Sequence, residues 1–182
     1  MTTDELFRKH APFVARLLHR LGVPAREIDD VVQQVFVVVH KNGGYVRGPA
    51  TPTSYLGAIA VKAASSARRR DGAQRSRHVG YSPELLASTG RDPVTLLEVR
   101  RELTQLQAAL DEMDSDLRAV LVLTELEGES CASIAASQGI PAGTVYWRAH
   151  RAHKQFRQIA LRLAEEPRRR LRPESESYEP HL

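Results

Sequence analysis

Residues 130–153, SCASIAASQGIPAGTVYWRAHRAH, have the pattern of two short helices joined by a tight turn. Ser130 is a suitable cap for the first helix. The apolar positions of that helix follow helical spacing: Cys131, Ile134 and Ala135. Glycine accepts a positive φ and proline cannot continue a helix, so Gly139 and Pro141 predict a turn. A second helix is expected to begin near residues 142–144, which completes a helix-turn-helix.

The second helix of this pair is expected to have one buried face and one basic face. The buried positions recur at helical spacing: Val145, Ala149, Ala152 and Phe156. The other face carries cations at intervals of three: Arg148, Arg151, Lys154 and Arg157. Such a stripe suits phosphates and base edges in a DNA major groove, although a solvated surface helix has the same pattern.

Composition indicates a globular chain. Its 182 residues, 42% hydrophobic and 26% charged, suffice for one large domain or two small ones. No run approaches the ~20 apolar residues that a membrane helix needs, and the N-terminus lacks a signal-peptide pattern. We therefore expect a cytoplasmic chain with no membrane contact. The single cysteine, Cys131, excludes an internal disulfide and a cysteine-based zinc site.

Apolar periodicity predicts three helices in residues 1–70, the first domain. The first covers residues 4–21 as one helix or a pair of short ones, with Pro12 as a kink or break. The second runs from Ile28 to Val39, although the triplet Val37 to Val39 alone would favour a strand. A loop follows over residues 42–52. The third helix is expected over residues 53–70, with an inner face of Tyr55, Leu56, Ile59, Ala60 and Ala63.

Residues 71–93 are rich in Gly, Ser, Arg and Pro and predict a flexible linker, with a turn of helix at 83–86. The second domain is expected over residues 94–164. Its first helix has one apolar face, Ser115 caps the next helix, and the helix-turn-helix completes it. Residues 165–182 lack a core pattern and predict a disordered tail. The fold class is therefore all-α, with two small helical domains joined by a flexible linker.

Charge is distributed unevenly along the second domain. Between Glu98 and Glu129 there are nine acidic residues and three arginines, whereas the following helix is basic. This polarity directs one face towards DNA. We hypothesise that salt bridges between the acidic and basic modules of the chain cover its own binding surfaces.

Longer stretches resemble a known family. Residues 117–153, LRAVLVLTELEGESCASIAASQGIPAGTVYWRAHRAH, are similar to the region-four domain of extracytoplasmic-function (group IV) sigma factors of bacterial RNA polymerase, in the sigma-70 family. Residues 6–41 resemble regions one-point-two to two-point-two, and residues 51–70 resemble regions two-point-three and two-point-four. The resemblance implies an alternative sigma factor that binds core polymerase, recognises the minus-ten and minus-thirty-five promoter elements and directs transcription initiation.

The resemblance also assigns functional residues. The polymerase-binding positions are Asp29, Asp30, Gln33, Gln34 and Phe36, with Gln34 in place of the usual acid. Loss of one charge-assisted hydrogen bond there implies docking weaker by about 1 kcal/mol. A solvated helix face is the alternative interpretation of this segment.

Two sets of DNA-binding residues are implied. The minus-ten set is Tyr45, Arg47, Tyr55, Lys62, Arg68, Arg69 and Arg70. Tyr55 stands where the family has tryptophan, and a core position is its alternative. The minus-thirty-five set is Thr144, Tyr146, Trp147, Arg148, Arg151 and Lys154. Tyr146 and Trp147 stand where lysine and serine are frequent in the family. An alternative role for Trp147 is to pack on a partner or on the first domain.

The implied partners are macromolecules. They are the clamp of the largest polymerase subunit, the flap of the second largest, double- and single-stranded promoter DNA, and an anti-sigma factor. No catalytic motif and no cofactor motif is present in the sequence. His150 and His153 have helical metal-pair spacing but no accompanying carboxylate or cysteine cluster, so no metal site is predicted. Two rival functions remain: a stand-alone helix-turn-helix regulator, and a sigma-like adaptor without promoter activity.

Overall fold

The computed structural model describes residues 1–72 and 93–170, with side chains for residues 1–70 and 97–165. In these ranges the chain forms seven α-helices and no strand, which confirms the all-α prediction. The helices are α1 (Thr3–Arg20), α2 (Ile28–Lys41), α3 (Pro52–Gly72), α4 (Pro93–Asp111), α5 (Ser115–Leu121), α6 (Cys131–Gln138) and α7 (Ala142–Arg170). A 3-10 turn precedes α2 at Ala25–Glu27, and a π-helical turn follows α5 at Val122–Leu126.

Helix α1 is a single helix, so the alternative of two short helices is wrong. It begins with a capping box in which Thr2 accepts from the Glu5 amide and the Glu5 carboxylate accepts from the Thr2 amide. Pro12 is inside the helix on its exposed side. The apolar residues before and after it, Leu6 and Phe13, are both buried in the core, which keeps the helix continuous across the missing amide donor.

Helix α2 confirms that periodicity outweighs β-propensity here. Val31, Val35 and Val39 are almost fully buried, whereas Val37 and Val38 are exposed. The helix ends at Lys41 with Asn42 as its C-cap, and the chain turns through Gly43 and Gly44 with φ values of 77° and 90°. Only glycine adopts this conformation without strain.

Helix α3 completes the first domain by packing on α1 and α2. Its inner face differs in part from the predicted one: Leu56 and Ala60 are buried, whereas Tyr55, Ile59 and Ala63 are half-buried. Small residues continue the buried stripe at Ala64 and Ala67, because alanine lets two helices approach closely. A second buried group, Ser54, Gly57 and Ala58, lies on α3 as well, and Ser54 and Gly57 contact the second domain.

In the second domain α4, α5 and α6 all pack on α7. Several boundaries differ from the predictions, and both ends of the predicted linker are helical, since α3 continues to Gly72 and α4 begins at Pro93. The residue that caps α5 is Asp114, not Ser115, which is the first residue of the helix. Helix α7 continues to Arg170, six residues into the predicted tail; glutamate and arginine favour this extension, whereas Pro167 within it does not. Residues 73–92, which include the predicted turn at 83–86, and residues 171–182 lie outside the described residues.

The helix-turn-helix has the predicted local geometry. The Ser130 hydroxyl accepts from the Ser133 amide at 3.1 Å, and Gly139 ends α6 with φ 68°. Ile134, Val145 and Ala152 are fully buried between the helices. Within the described residues, no helix has both the length and the apolar character needed to cross a membrane.

We expect Leu17→Ala to lower the free energy of unfolding by about 2–5 kcal/mol, because the Leu17 side chain is fully buried and its removal leaves a cavity. Leu97→Ala is the matched control, since Leu97 is 64% exposed on α4. Urea unfolding followed by circular dichroism measures both. Equal losses in the two variants would contradict the core position of Leu17.

Candidate nucleic-acid interface

The start of α7 presents aromatic and cationic side chains to solvent. Tyr146 and Trp147 are 60% and 56% exposed. The Arg151 guanidinium lies 4.9 Å from the centre of the Trp147 ring, in a cation–π contact. Trp147 is therefore exposed rather than packed on the first domain. Together the three side chains form a flat, positively charged surface on the second helix of the helix-turn-helix.

Carboxylates of the same domain line one edge of this surface. Arg148, whose side chain is 28% exposed, pairs with Asp116 of α5 at 3.3 Å. His153 Nε2 lies 3.1 Å from a Glu125 carboxylate oxygen. Lys154 and Arg157, farther along the stripe, are exposed. The acidic part of the sequence thus holds some of the basic side chains that a polyanion would contact.

Two further α7 residues were considered in the sequence analysis, Thr144 for DNA binding and His150 for a metal pair. Thr144 is half-buried, and its amide donates to the Pro141 carbonyl at 3.0 Å, in the first turn. His150 is exposed. In the portion of the chain that the structure describes, no cluster of three or more His, Cys, Asp or Glu side chains is suited to hold a metal ion.

The loop before α3 is braced by two tyrosines. The Tyr45 hydroxyl donates to the Ala50 carbonyl at 2.6 Å, and the Tyr55 hydroxyl donates to the Gly44 carbonyl at 3.3 Å. Their rings lie 5.7 Å apart and both residues are half-buried. These contacts fix the loop. The side chains that the loop leaves exposed include Val46, which is 86% exposed, and Arg47.

Sequence reasoning missed Val46. Its position directly after the bracing tyrosine, in a loop without apolar periodicity, was the available signal: a valine there has no core to enter. The basic outer face of α3 is as predicted for Lys62, Arg69 and Arg70, which are exposed, while Arg68 is half-buried.

The polymerase-binding set divides in two on α2. Asp29, Asp30, Gln33 and Gln34 are exposed. Phe36 is not available as a surface contact, because it is 5% exposed and its ring meets Phe7 edge-on at 4.9 Å. Phe36, which the resemblance assigned to the polymerase-binding positions, instead anchors α2 in the core, since it falls on the apolar face of the helix.

Two further residues belong to the exposed face of α2. Val37 and Val38 line one shallow groove together with Asp30, Gln33 and Gln34. Sequence reasoning assigned this valine run only to helix or strand. The available signal was that α2 contains more valines than its buried face can hold. The extra valines, Val37 and Val38, therefore lie on the exposed face beside the acidic residues.

Comparison with known families agrees with the two-domain division. Residues 6–74 match the family described as Sigma-70 region 2, and residues 103–156 match the one described as Sigma-70, region 4. The first match covers nearly all of α1 to α3, and the second covers α5, α6, the C-terminal half of α4 and the N-terminal half of α7.

Similar proteins are known sigma factors. The ECF RNA polymerase sigma factor SigE of Mycolicibacterium smegmatis is 31% identical over 163 residues, which cover 90% of this chain and 63% of the relative, so the chain spans less than two thirds of that protein. The RNA polymerase sigma factor CarQ of Myxococcus xanthus is 31% identical over 159 residues, covering 86% of this chain and 87% of CarQ.

Two solved structures share the fold. CnrH, in complex with the cytosolic domain of CnrY, aligns with a TM-score of 0.60 and 22% identity over 86% of each chain. The sigma factor RpoE of Bartonella quintana, in complex with the anti-sigma factor NepR, aligns with a TM-score of 0.65 and 18% identity over 86% of this chain and 94% of RpoE. The two solved structures show the shared fold, and the family matches together with the relationships to SigE and CarQ show that the chain belongs to the extracytoplasmic-function sigma factors of the sigma-70 family.

Proposed function

We propose that this chain binds core RNA polymerase through the exposed face of α2, captures the minus-ten element with the loop before α3, and reads the minus-thirty-five element with α7. The observation that carries the proposal is the exposed stack of Arg151 on Trp147 at the start of the second helix of a helix-turn-helix. A cationic and aromatic surface at that position fits a DNA groove.

Single-strand capture is supported by the loop before α3. Tyr45 and Tyr55 hold it in a fixed shape, and Val46 and Arg47 project from it. An apolar side chain next to a cation suits an unstacked base and its phosphate. The exposed cations of α3, Lys62, Arg69 and Arg70, would then hold the strand backbone. Binding energy thus offsets unstacking without an energy source of the protein's own.

Polymerase docking is supported by the face of α2. Asp29 and Asp30 supply negative charge, Gln33 and Gln34 supply amides, and the exposed Val37 and Val38 add apolar area. A mixed acidic and apolar helix face fits a partner helix with basic side chains, which is the chemistry expected of the polymerase clamp.

The other partners follow from the same assignment. The flap of the second largest polymerase subunit would bind the second domain, and an anti-sigma factor would compete for these faces. The chain works without a cofactor and leaves catalysis to the core enzyme, and it acts in the cytoplasm, where core polymerase and promoter DNA are. Run-off transcription with and without the chain tests this function. Binding to DNA but not to polymerase would indicate a stand-alone regulator, and binding to polymerase without transcripts would indicate an adaptor.

Arg148→Ala combined with Arg151→Ala is expected to abolish promoter selectivity while leaving affinity for core polymerase unchanged. Each lost phosphate contact lowers the slope of log affinity against log salt by about 0.9. Fluorescence anisotropy with duplex promoter DNA, at several salt concentrations, measures the slope. A parallel loss of polymerase binding would show that Arg148 or Arg151 also contributes to polymerase binding, and so would contradict the prediction.

Asp116→Asn is expected to raise affinity for duplex DNA a few-fold, because Asp116 pairs with Arg148 and adds negative charge beside the DNA-facing surface. The pair is partly exposed, so the effect is of surface magnitude, about 0.2–1 kcal/mol. The control is Glu102→Asn, an exposed acid on α4. The same anisotropy titration decides: an unchanged or weaker Asp116→Asn complex contradicts competition by the carboxylate.

Gln34→Glu is expected to tighten binding to core polymerase about fivefold, since it restores one charge-assisted hydrogen bond worth roughly 1 kcal/mol. Gln105→Glu, on the exposed side of α4, adds the same charge elsewhere. Competition with a labelled sigma factor for core polymerase provides the affinities. If both variants gain equally, the effect is one of net charge and not of docking at α2.

A further inference from the structure

The backbone of residue 1 is paired with the loop before α3. The Met1 nitrogen donates a hydrogen bond to the Tyr45 carbonyl at 2.8 Å, and the Tyr45 amide donates to the Met1 carbonyl at 3.0 Å. Two residues that exchange both backbone bonds are related as opposite residues of an antiparallel sheet are. Such a reciprocal pair fixes the separation and the direction of the two backbones, so Met1 holds the chain at Tyr45 in one orientation.

This approach depends on the glycine at position 44. A Cβ added to Gly44 would lie 2.6 Å from the Met1 carbonyl oxygen, whereas a Cβ added to Gly43 would meet no atom within 4 Å. Both glycines have a positive φ, so both serve the turn after α2. Gly44 has the additional effect of leaving room for the backbone of Met1.

Met1 is itself attached to a rigid part of the first domain. Thr2, the next residue, is the N-cap of α1 and exchanges hydrogen bonds with Glu5 at 2.9 Å and 3.3 Å. The amide of Leu6, a fully buried residue, donates to the Thr2 carbonyl at 3.1 Å. The position of Met1 is therefore set by α1, which packs on α2 and α3.

The two bonds to Met1 act on the peptide groups on either side of Tyr45. The Tyr45 carbonyl belongs to the peptide that joins Tyr45 to Val46, so its direction sets the angle at which Val46 and Arg47 leave the loop. The side-chain bonds of Tyr45 to Ala50 and of Tyr55 to Gly44 brace the loop from the other side. Only the bonds to Met1 hold the peptide that directly precedes the exposed Val46.

A loop that already has its binding shape loses less conformational entropy when it captures a ligand. If the loop has this shape for only part of the time, its apparent affinity falls in proportion to that fraction. The bonds to Met1 therefore have their largest effect on the contact that depends on the direction of Val46 and Arg47.

We propose that Met1 is a positioning residue for capture of an unstacked base, and that its backbone aims Val46 and Arg47 by holding the peptide between Tyr45 and Val46. This role rests on the proposed function of the loop before α3. It differs from the role of the exposed cations of α3, which hold the strand backbone whatever the base. Loss of Met1 therefore weakens recognition of one base and leaves the phosphate contacts in place.

The first measurement tests the contact without any nucleic acid. A chain that begins at Thr2 is released by a protease from an N-terminal fusion, and the chain that begins at Met1 is released from the same fusion. Amide exchange is followed by NMR. We expect the Tyr45 amide to exchange about fivefold faster without Met1, because its acceptor is lost. The Asn42 amide, which donates to the Val38 carbonyl, is the internal control and keeps its rate.

The second measurement tests base capture with the full chain bound to core polymerase. The probe is a short fluorescent single-stranded DNA, selected from a random pool by the wild-type complex, and the same strand with an abasic site at each position in turn. We expect loss of Met1 to weaken binding of the intact strand about fivefold, the magnitude of two exposed hydrogen bonds. The strand without the captured base is expected to bind equally to both chains, which a general loss of stability would not produce.

Gly43→Ala and Gly44→Ala provide a matched pair of variants. Both place a Cβ at a positive φ, and only Gly44→Ala also forces a carbon against the Met1 carbonyl. We expect Gly44→Ala to weaken strand binding more than Gly43→Ala in the full chain. In the chain that begins at Thr2 the two variants should be equal, since the nearest remaining atom, Thr2 Cα, lies at 3.6 Å. Circular dichroism checks that each variant is folded.

The outcomes separate this role from the proposed function. An unchanged exchange rate of the Tyr45 amide without Met1 overturns the contact. Faster exchange with unchanged strand affinity, or an equal loss for the intact and abasic strands, overturns the positioning role. Equal effects of the two glycine variants in the full chain overturn the close approach of Met1. If the wild-type complex selects no single strand, the proposed function fails, whereas amide exchange still decides whether Met1 holds the loop.

Discussion

A buried guanidinium holds the two domains together. Arg118 extends from α5 to the last carbonyl of α1, where helix carbonyls lack internal partners and a cation is favoured. Its Nη2 lies 2.8 Å from Asp111, without the direction of a hydrogen bond. Burial, and then the nearby Arg68, lower the pKa of Arg118 to about 10, and Asp111 acts against both, so the group remains charged at neutral pH. Gly22 lies beside it with φ 84°, a conformation that other residues adopt only with strain, and a Cβ there would also lie 2.9 Å from Nη1.

Local features of the fold were predictable from the sequence. The cap at Ser130, the glycine turn at Gly139 and the period of α2 depend on residues close together in the chain, so their physics can be read from short segments. The continuity of α1 through Pro12 could not be predicted from a short segment, because it depends on how the residues on either side of the proline pack in the core. Likewise Phe36 carried a family motif and an apolar period at once, and only the structure shows that its ring lies in the core.

The candidate site was predictable as a set of exposed side chains but not as a set of contacts. Arg148, Arg151 and Trp147 were assigned to one surface, and the structure adds that Asp116 holds one arginine and that the other covers the indole. The role of Glu129 was hidden, since its partners Thr51 and Thr53 are more than 70 residues away in sequence. Glu129 is one of nine acidic residues between Glu98 and Glu129, and nothing in the sequence distinguishes it from the other eight.

The packing of Leu123, which is 1% exposed, against Gly57 of α3 has a further consequence for the survival of the protein in the cell. A chain whose domains have separated presents Leu123 and the α3 groove at Gly57 to water, and exposed apolar surface of this kind promotes self-association and attack by proteases. Separation of the domains without a partner therefore has two unfavourable effects: apolar surface loses its burial, and the exposed protein is removed by aggregation or proteolysis. The packing of Leu123 against α3 therefore also protects the protein from self-association and proteolysis for as long as the two domains remain in contact.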